Sequence, residues 1–146
     1  MEIREVKKAD LVPILELYTH LHNDIMPTLD EALLSLWDKI LKDEKHHIIV
    51  GFVDGELVSS CVLTIIPNLS HNQRPYALIE NVITHKNYRK RGYATRLLNY
   101  AKEIAVSNNC YKIMLLTGSK EESTLRFYEK AGYNRNDKTA FIQWLD

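Results

Sequence analysis

The dipeptide Asp54-Gly55 lies between two long apolar runs, His46–Val53 and Glu56–Ile66. Asp-Gly supplies the two positive φ angles of a tight hairpin turn, and runs of this kind read as its strands. The chain is therefore expected to build on an antiparallel pair near its middle. Ahead of that pair, residues 3–6 make a short strand candidate, and Asp10 is placed to cap a helix carrying Leu11, Ile14, Leu15, Tyr18 and Leu21 on one face. Thr28 and Glu31 form a capping box for a second helix, with Leu29, Leu33, Leu36, Trp37 and Ile40 at helical spacing. Residues 68–75 are polar and aperiodic, which predicts a loop, and residues 76–84 follow as another strand. A helix over 93–107 would bury Leu97, Leu98, Ala101, Ile104 and Ala105 and end at Asn108-Asn109. Residues 111–116 then read as a buried strand, 119–131 as a helix stopped by Gly132, and 133–134 and 139–144 as two closing strands.

Composition narrows the class. A length of 146 residues is that of one domain, spanning 1–146. Lys plus Arg and Asp plus Glu number 19 each, and a balance so close to neutral argues against a broad nucleic-acid surface. No apolar run has the length of a signal segment or a membrane span, so a soluble cytoplasmic protein with no membrane partner is expected. Cys61 and Cys110 are far apart and outside any C-x-x-C pair, and read as buried thiols. His46, His47, His71 and His85 show no metal-ligand spacing, so no metal is expected.

The segment Arg89-Lys90-Arg91-Gly92-Tyr93-Ala94 joins the apolar run 76–84 to the amphipathic stretch 93–107. A strand that ends in a basic, glycine-containing turn opening into a helix aims unpaired amides and the positive end of the helix dipole at one place. An anion is expected there, held by the side chains of Arg89, Lys90 and Arg91 and by the amides of Arg91, Gly92, Tyr93 and Ala94, with Thr95 next in the first turn of the helix as a further cofactor-binding residue. Neither G-x-x-x-x-G-K-[ST] nor G-x-G-x-x-G is present. The pattern Arg89-x-x-Gly92-x-Ala94 resembles instead the acetyl-CoA loop of the GNAT superfamily of N-acetyltransferases, R-x-x-G-x-[GA]. A second stretch, Tyr128-Glu129-Lys130-Ala131-Gly132-Tyr133, resembles the superfamily's C-terminal signature Y-x-K-x-G-[FY]. Residues 79–133 are especially similar to the small-molecule branch that includes glucosamine-6-phosphate N-acetyltransferases. One departure is Glu121, where many members carry Asn.

The resemblance implies an α/β (α+β) GNAT fold, a mixed sheet of about seven strands with four helices in the order β-α-α-β-β-β-α-β-α-β-β. It also implies acetyl-CoA as cosubstrate, with its pyrophosphate on the basic turn. Pantetheine would pair like an added strand with a bulged segment at Val82, Ile83 and Thr84, one amide of which faces the thioester oxygen. Tyr128 matches the general acid that protonates the departing thiolate, since a phenol with an ordinary pKa of about 10 keeps its proton at neutral pH. Glu80, the ionised group of the run 76–83, shares a face with Leu78 and Val82 by strand alternation. It is the candidate general base, with pairing to a cation across the sheet as the alternative. Asn81 either orients a substrate group or points to the opposite face. No Ser or Cys has a nucleophile's setting, in keeping with direct transfer.

These readings converge on an N-acetyltransferase for a small primary amine such as an amino acid or amino sugar. The expected acceptor walls are the first helices, the hairpin and the 68–75 loop. Acetylation of a protein N-terminus or lysine is the alternative within the fold, and a non-catalytic acyl-CoA sensor the alternative outside enzymes. A homodimer is compatible with the sequence.

Overall fold

The computed structural model describes residues 1–22 and 25–146, arranged as two compact units, Met1–Met114 and Leu115–Asp146. Along the chain run β1 (Glu2–Glu5), a 3-10 turn (Lys8–Asp10), α1 (Leu11–His22), α2 (Glu31–Lys42), β2 (His46–Val53) and β3 (Glu56–Ile66). A four-residue turn, α3 (Ser70–Gln73), precedes β4 (Tyr76–Thr84); α4 (Tyr93–Ser107), β5 (Ile113–Leu115) and α5 (Glu122–Lys130) follow. The sheet has five strands in the order β1-β2-β3-β4-β5. β1 to β4 are antiparallel neighbours. Where β5 approaches β4, Tyr111 N bonds Pro75 O and Ala77 N bonds Lys112 O, so the two chains advance together as in a parallel pair.

The hairpin forms where Asp54-Gly55 places it, with φ of 49° and 81° at the two turn residues. Its strands alternate between two buried faces. Ile48, Val50, Leu57 and Val62 pack with Leu11, Ile14 and Leu17 of α1 and Trp37 of α2, together with Ile83 of β4. On the opposite face, Cys61 Sγ approaches Leu97 O of α4, whose Leu97, Leu98, Ala101 and Ala105 are buried. At about 25 cal/mol per Å², sealing a sheet on both faces is the main driving force of such a fold. α4 ends in a Schellman motif: Cys110 N bonds Ala105 O, Asn109 N bonds Val106 O, and Asn109 takes φ 59°.

Several local expectations are corrected. Asp10 does not cap α1, because its carboxylate is taken by Arg4 (2.6 and 3.1 Å) and by the amide of Lys7 (2.6 Å). The α2 cap is Asp30, whose Oδ1 accepts from Leu33 N at 2.9 Å, two residues beyond the expected Thr28. A carboxylate there adds favourable charge to the helix dipole that threonine lacks. The polar stretch after β3 contains three successive left-handed residues, His71, Asn72 and Gln73. The two closing strands do not form, so the sheet has five strands. Asn134 accepts the amide of Asn136 in an Asx turn, which diverts the chain at once. Residues 139–144 alternate as a strand would, yet have no neighbouring ladder, and Phe141 and Trp144 stay 88% and 83% exposed.

In the second unit, Arg135 clamps α5 from outside, donating to Glu129 (2.8 Å) and Glu122 (2.9 Å), two turns apart on one helix face. Its guanidinium holds both carboxyls below their usual range.

The Arg4 guanidinium, and then the Lys7 amide, hold Asp10 below its ordinary 3.8 against the opposing effect of burial. A depressed carboxyl contributes stability that is complete above the unfolded value and is lost as pH falls through the folded one. Asp10→Asn is expected to lower unfolding free energy by about 1–3 kcal/mol at neutral pH, and urea melts should show that gap narrowing towards about pH 3.

Candidate active site

β4 is regular for its first half and then breaks. The pairings Val62 to Glu80 and Ser60 to Ile83 leave Cys61 opposite two residues, Asn81 and Val82. The extra residue is a β-bulge, and Asn81 within it adopts φ 52°. Asparagine is among the few residues that enter the left-handed region at modest cost. The bulge reverses the alternation expected from sequence: Glu80 shares its face with Leu78 and Ile83, and Val82 turns to the other side. Glu80 is also exposed.

Beyond the bulge, Val82, Ile83 and Thr84 keep one edge bonded to β3. Ser59 Oγ donates to Ile83 O at 3.0 Å and lies 2.9 Å from Thr84 Oγ1. Their other edge outruns β5. That strand has three residues and meets β4 at Pro75 and Ala77, so at one residue per step it ends beside about Glu80. β5 therefore offers 82–84 no ladder on that side.

The chain then turns through a 3-10 segment (Lys86–Tyr88) into the basic loop. Arg89 Nε donates to Thr84 O (3.1 Å), which ties the loop to the strand end and leaves both terminal amino groups of Arg89 outside that bond. Arg91 lies over the Tyr88 ring at 5.4 Å, and Tyr88 donates to Glu56 of the hairpin at 2.8 Å. Lys90 and Gly92 have φ of 61° and 79°. Gly92 is the N-cap of α4 and carries no side-chain cap, and the first turn has no acidic residue. The first helical bond is Arg96 N to Gly92 O, so the amides of Tyr93, Ala94 and Thr95 have no carbonyl one turn back. Among the described residues, and apart from Gly92's own chain neighbours, no atom lies within 4 Å of where a Gly92 Cβ would stand. Amides without a helical carbonyl partner and the positive end of the helix dipole thus follow directly on three consecutive basic residues, an arrangement that suits an anion. The 68–75 loop lies at the other end of β4, roughly 26 Å away along nine residues of strand. It does not share this end of the sheet.

Tyr128 belongs to the second unit, near the end of α5. The signature Y-x-K-x-G-[FY] has a plain structural meaning: Tyr133 N bonds Tyr128 O at 3.0 Å and Gly132 N bonds Glu129 O at 2.9 Å, which is a Schellman ending with Gly132 at φ 100°. Tyr128 and Tyr133 are the two residues such an ending brings side by side, and their rings meet edge-on at 6.4 Å; Phe127 approaches Tyr128 at 4.9 Å. The half-buried Tyr128 is thereby fixed in orientation.

Of the cysteines, Cys61 is buried as expected and its thiol is pushed up to about 12 by burial, while Cys110 is half-buried. Both are free thiols. Among the described residues no group of three His, Cys, Asp or Glu side chains is arranged to hold a metal ion, and no helix is long and apolar enough to cross a membrane. Sequence reasoning missed Ser59, which pins the strand past the bulge, and read Tyr18 as packing alone.

The acetyltransferase (GNAT) family matches residues 11–133. The glucosamine 6-phosphate N-acetyltransferase of Trypanosoma brucei brucei is 29% identical over 141 residues, covering 94% of this chain and 92% of its own. A solved structure from Agrobacterium tumefaciens str. C58, described as an acetyltransferase, has a TM-score of 0.90 at 36% identity, covering 99% of this chain and 100% of the other. The glucosamine-6-phosphate N-acetyltransferase of Arabidopsis thaliana shares the fold, with a TM-score of 0.85 at 19% identity over 99% of this chain and 98% of its own. The chain belongs to the acetyltransferase (GNAT) family. It is an N-acetyltransferase, and acetyl-CoA is the cosubstrate of that family.

Proposed function

We propose that the protein transfers an acetyl group directly from acetyl-CoA to the primary amine of a small metabolite, an amino sugar or amino acid being the favoured class. The observation that carries the reading is the uncapped, basic N-terminus of α4 placed just past the bulge of β4. In this reading Arg89, Lys90, Arg91 and the amides of Gly92 to Thr95 hold the pyrophosphate, and the free edge of Val82, Ile83 and Thr84 holds pantetheine. An amide of that edge stabilises the oxyanion as the amine nitrogen attacks the thioester carbon. Glu80, on the exposed side of the bulge, takes the amine proton directly or through water, and Tyr128 returns a proton to the thiolate. The amino-sugar preference draws support from the Trypanosoma brucei brucei relative, which matches nearly the full chain. A panel of amino sugars, amino acids and polyamines assayed for thiol release from acetyl-CoA tests it, and release with none of them would overturn it.

The role of Glu80 has its own test. Glu80→Gln is expected to lower turnover roughly 10²-fold near neutral pH and to recover partly at higher pH, where free amine accumulates without a base. A loss of equal size at every pH would make Glu80 a structural or substrate-binding carboxylate.

A further inference from the structure

The bulge has a second partner that acetyl transfer does not by itself explain. On the face of the sheet that carries α1, the hydroxyls of Tyr18 and Ser60 are buried, and neither has a hydrogen-bond partner among the described residues. Ser60 is 1% exposed. Burial raises the Tyr18 phenol, and the neighbouring Ser60 hydroxyl and Asn81 amide oppose that rise. The three come from α1, β3 and β4, and Ser60 is paired across the sheet with Ile83, the first register position after the bulge. Phenylalanine and alanine would fill the same space without stranding two hydroxyls. Asn81 meanwhile holds φ 52°, a conformation of modest cost for asparagine that its surroundings still have to offset.

We propose that Tyr18 and Ser60 are positioning residues that brace Asn81 in its left-handed conformation and so fix the bulge that aims the amides of Val82 and Ile83 at the reacting thioester. Neither touches substrate; both act through the backbone of β4. The Tyr18 hydroxyl is the donor, and the Ser60 hydroxyl and the Asn81 carbonyl are acceptors, for the bonds that would hold the bulge against its fluctuations.

The test uses glycine's freedom at positive φ. The turnover readout rests on the acetyl-transfer reading above, so a second readout is independent of it. Tyr18→Phe is expected to lower kcat about tenfold or more, with KM for acetyl-CoA and the thermal midpoint little changed. In an Asn81→Gly background, where the backbone holds its angle unaided, adding Tyr18→Phe should cost nothing further. In the coenzyme-free protein, amide exchange at Asn81, Val82 and Ile83 should be severalfold faster in Tyr18→Phe, and the same in Asn81→Gly with and without it. Unchanged exchange in Tyr18→Phe overturns the brace, as does a wild-type kcat at saturating acetyl-CoA. An equal kcat loss in both backgrounds also overturns it, since Tyr18 would then act on substrate. If wild-type protein turns over no amine, the acceptor reading fails, and exchange alone decides for or against the brace.

Discussion

Tyr128→Phe is expected to reduce turnover by roughly 10²-fold while leaving coenzyme A affinity and thermal stability nearly unchanged. The substitution keeps the ring, and with it the edge-on contacts to Phe127 and Tyr133 and the backbone bond from Tyr133 N to Tyr128 O. It removes only the hydroxyl. A tyrosine that serves packing would give the opposite pattern, with a lowered melting temperature and retained rate. The expected loss has a ceiling, because a thiol with an ordinary pKa of about 8.5 can leave as thiolate and take its proton from water later. Steady-state assays at saturating acetyl-CoA with an accepted amine decide the matter, and a Phe variant that keeps most of its turnover would remove Tyr128 from the mechanism.

Much of this site could be read in the sequence because its parts are local. Asp54-Gly55 dictates its turn through backbone angles that two adjacent residues carry themselves. The helix 93–107 was legible to the residue because its apolar spacing, a preceding glycine and a closing Asn-Asn pair all act within one turn. The Tyr128 to Tyr133 spacing is likewise a property of a single helix ending. What the sequence concealed depends on partners far along the chain. A bulge is a mismatch between β3 and β4, so the resemblance could imply one near Val82 to Thr84 while no pattern within 76–84 placed it at Asn81, and the face assigned to Val82 by alternation was wrong for that reason. Asp10 looked like a cap until Arg4, six residues away, folded back onto it. The alternating residues 139–144 show the same limit from the other side: alternation prepares a strand, and only a neighbouring strand makes one.

Gly92→Val is expected to weaken coenzyme A binding by roughly 10²-fold or more, because two charge-assisted bonds of about 1.5–3 kcal/mol each are lost and every 1.4 kcal/mol is tenfold. Two effects act together. The Cβ would project into open space, which is the space proposed for the pyrophosphate. The φ of 79° is also strained for any L residue and most of all for a β-branched one, at a cost of about 1–2 kcal/mol. Gly92→Asn separates the two, since asparagine tolerates the left-handed region yet still carries a side chain into the cradle. If the cradle is the diphosphate site, Gly92→Asn should melt close to wild type and still lose at least about tenfold in affinity by calorimetry. If the glycine serves only the turn, Gly92→Asn should bind coenzyme A as wild type does and only the valine variant should suffer, in stability first and in binding as its consequence.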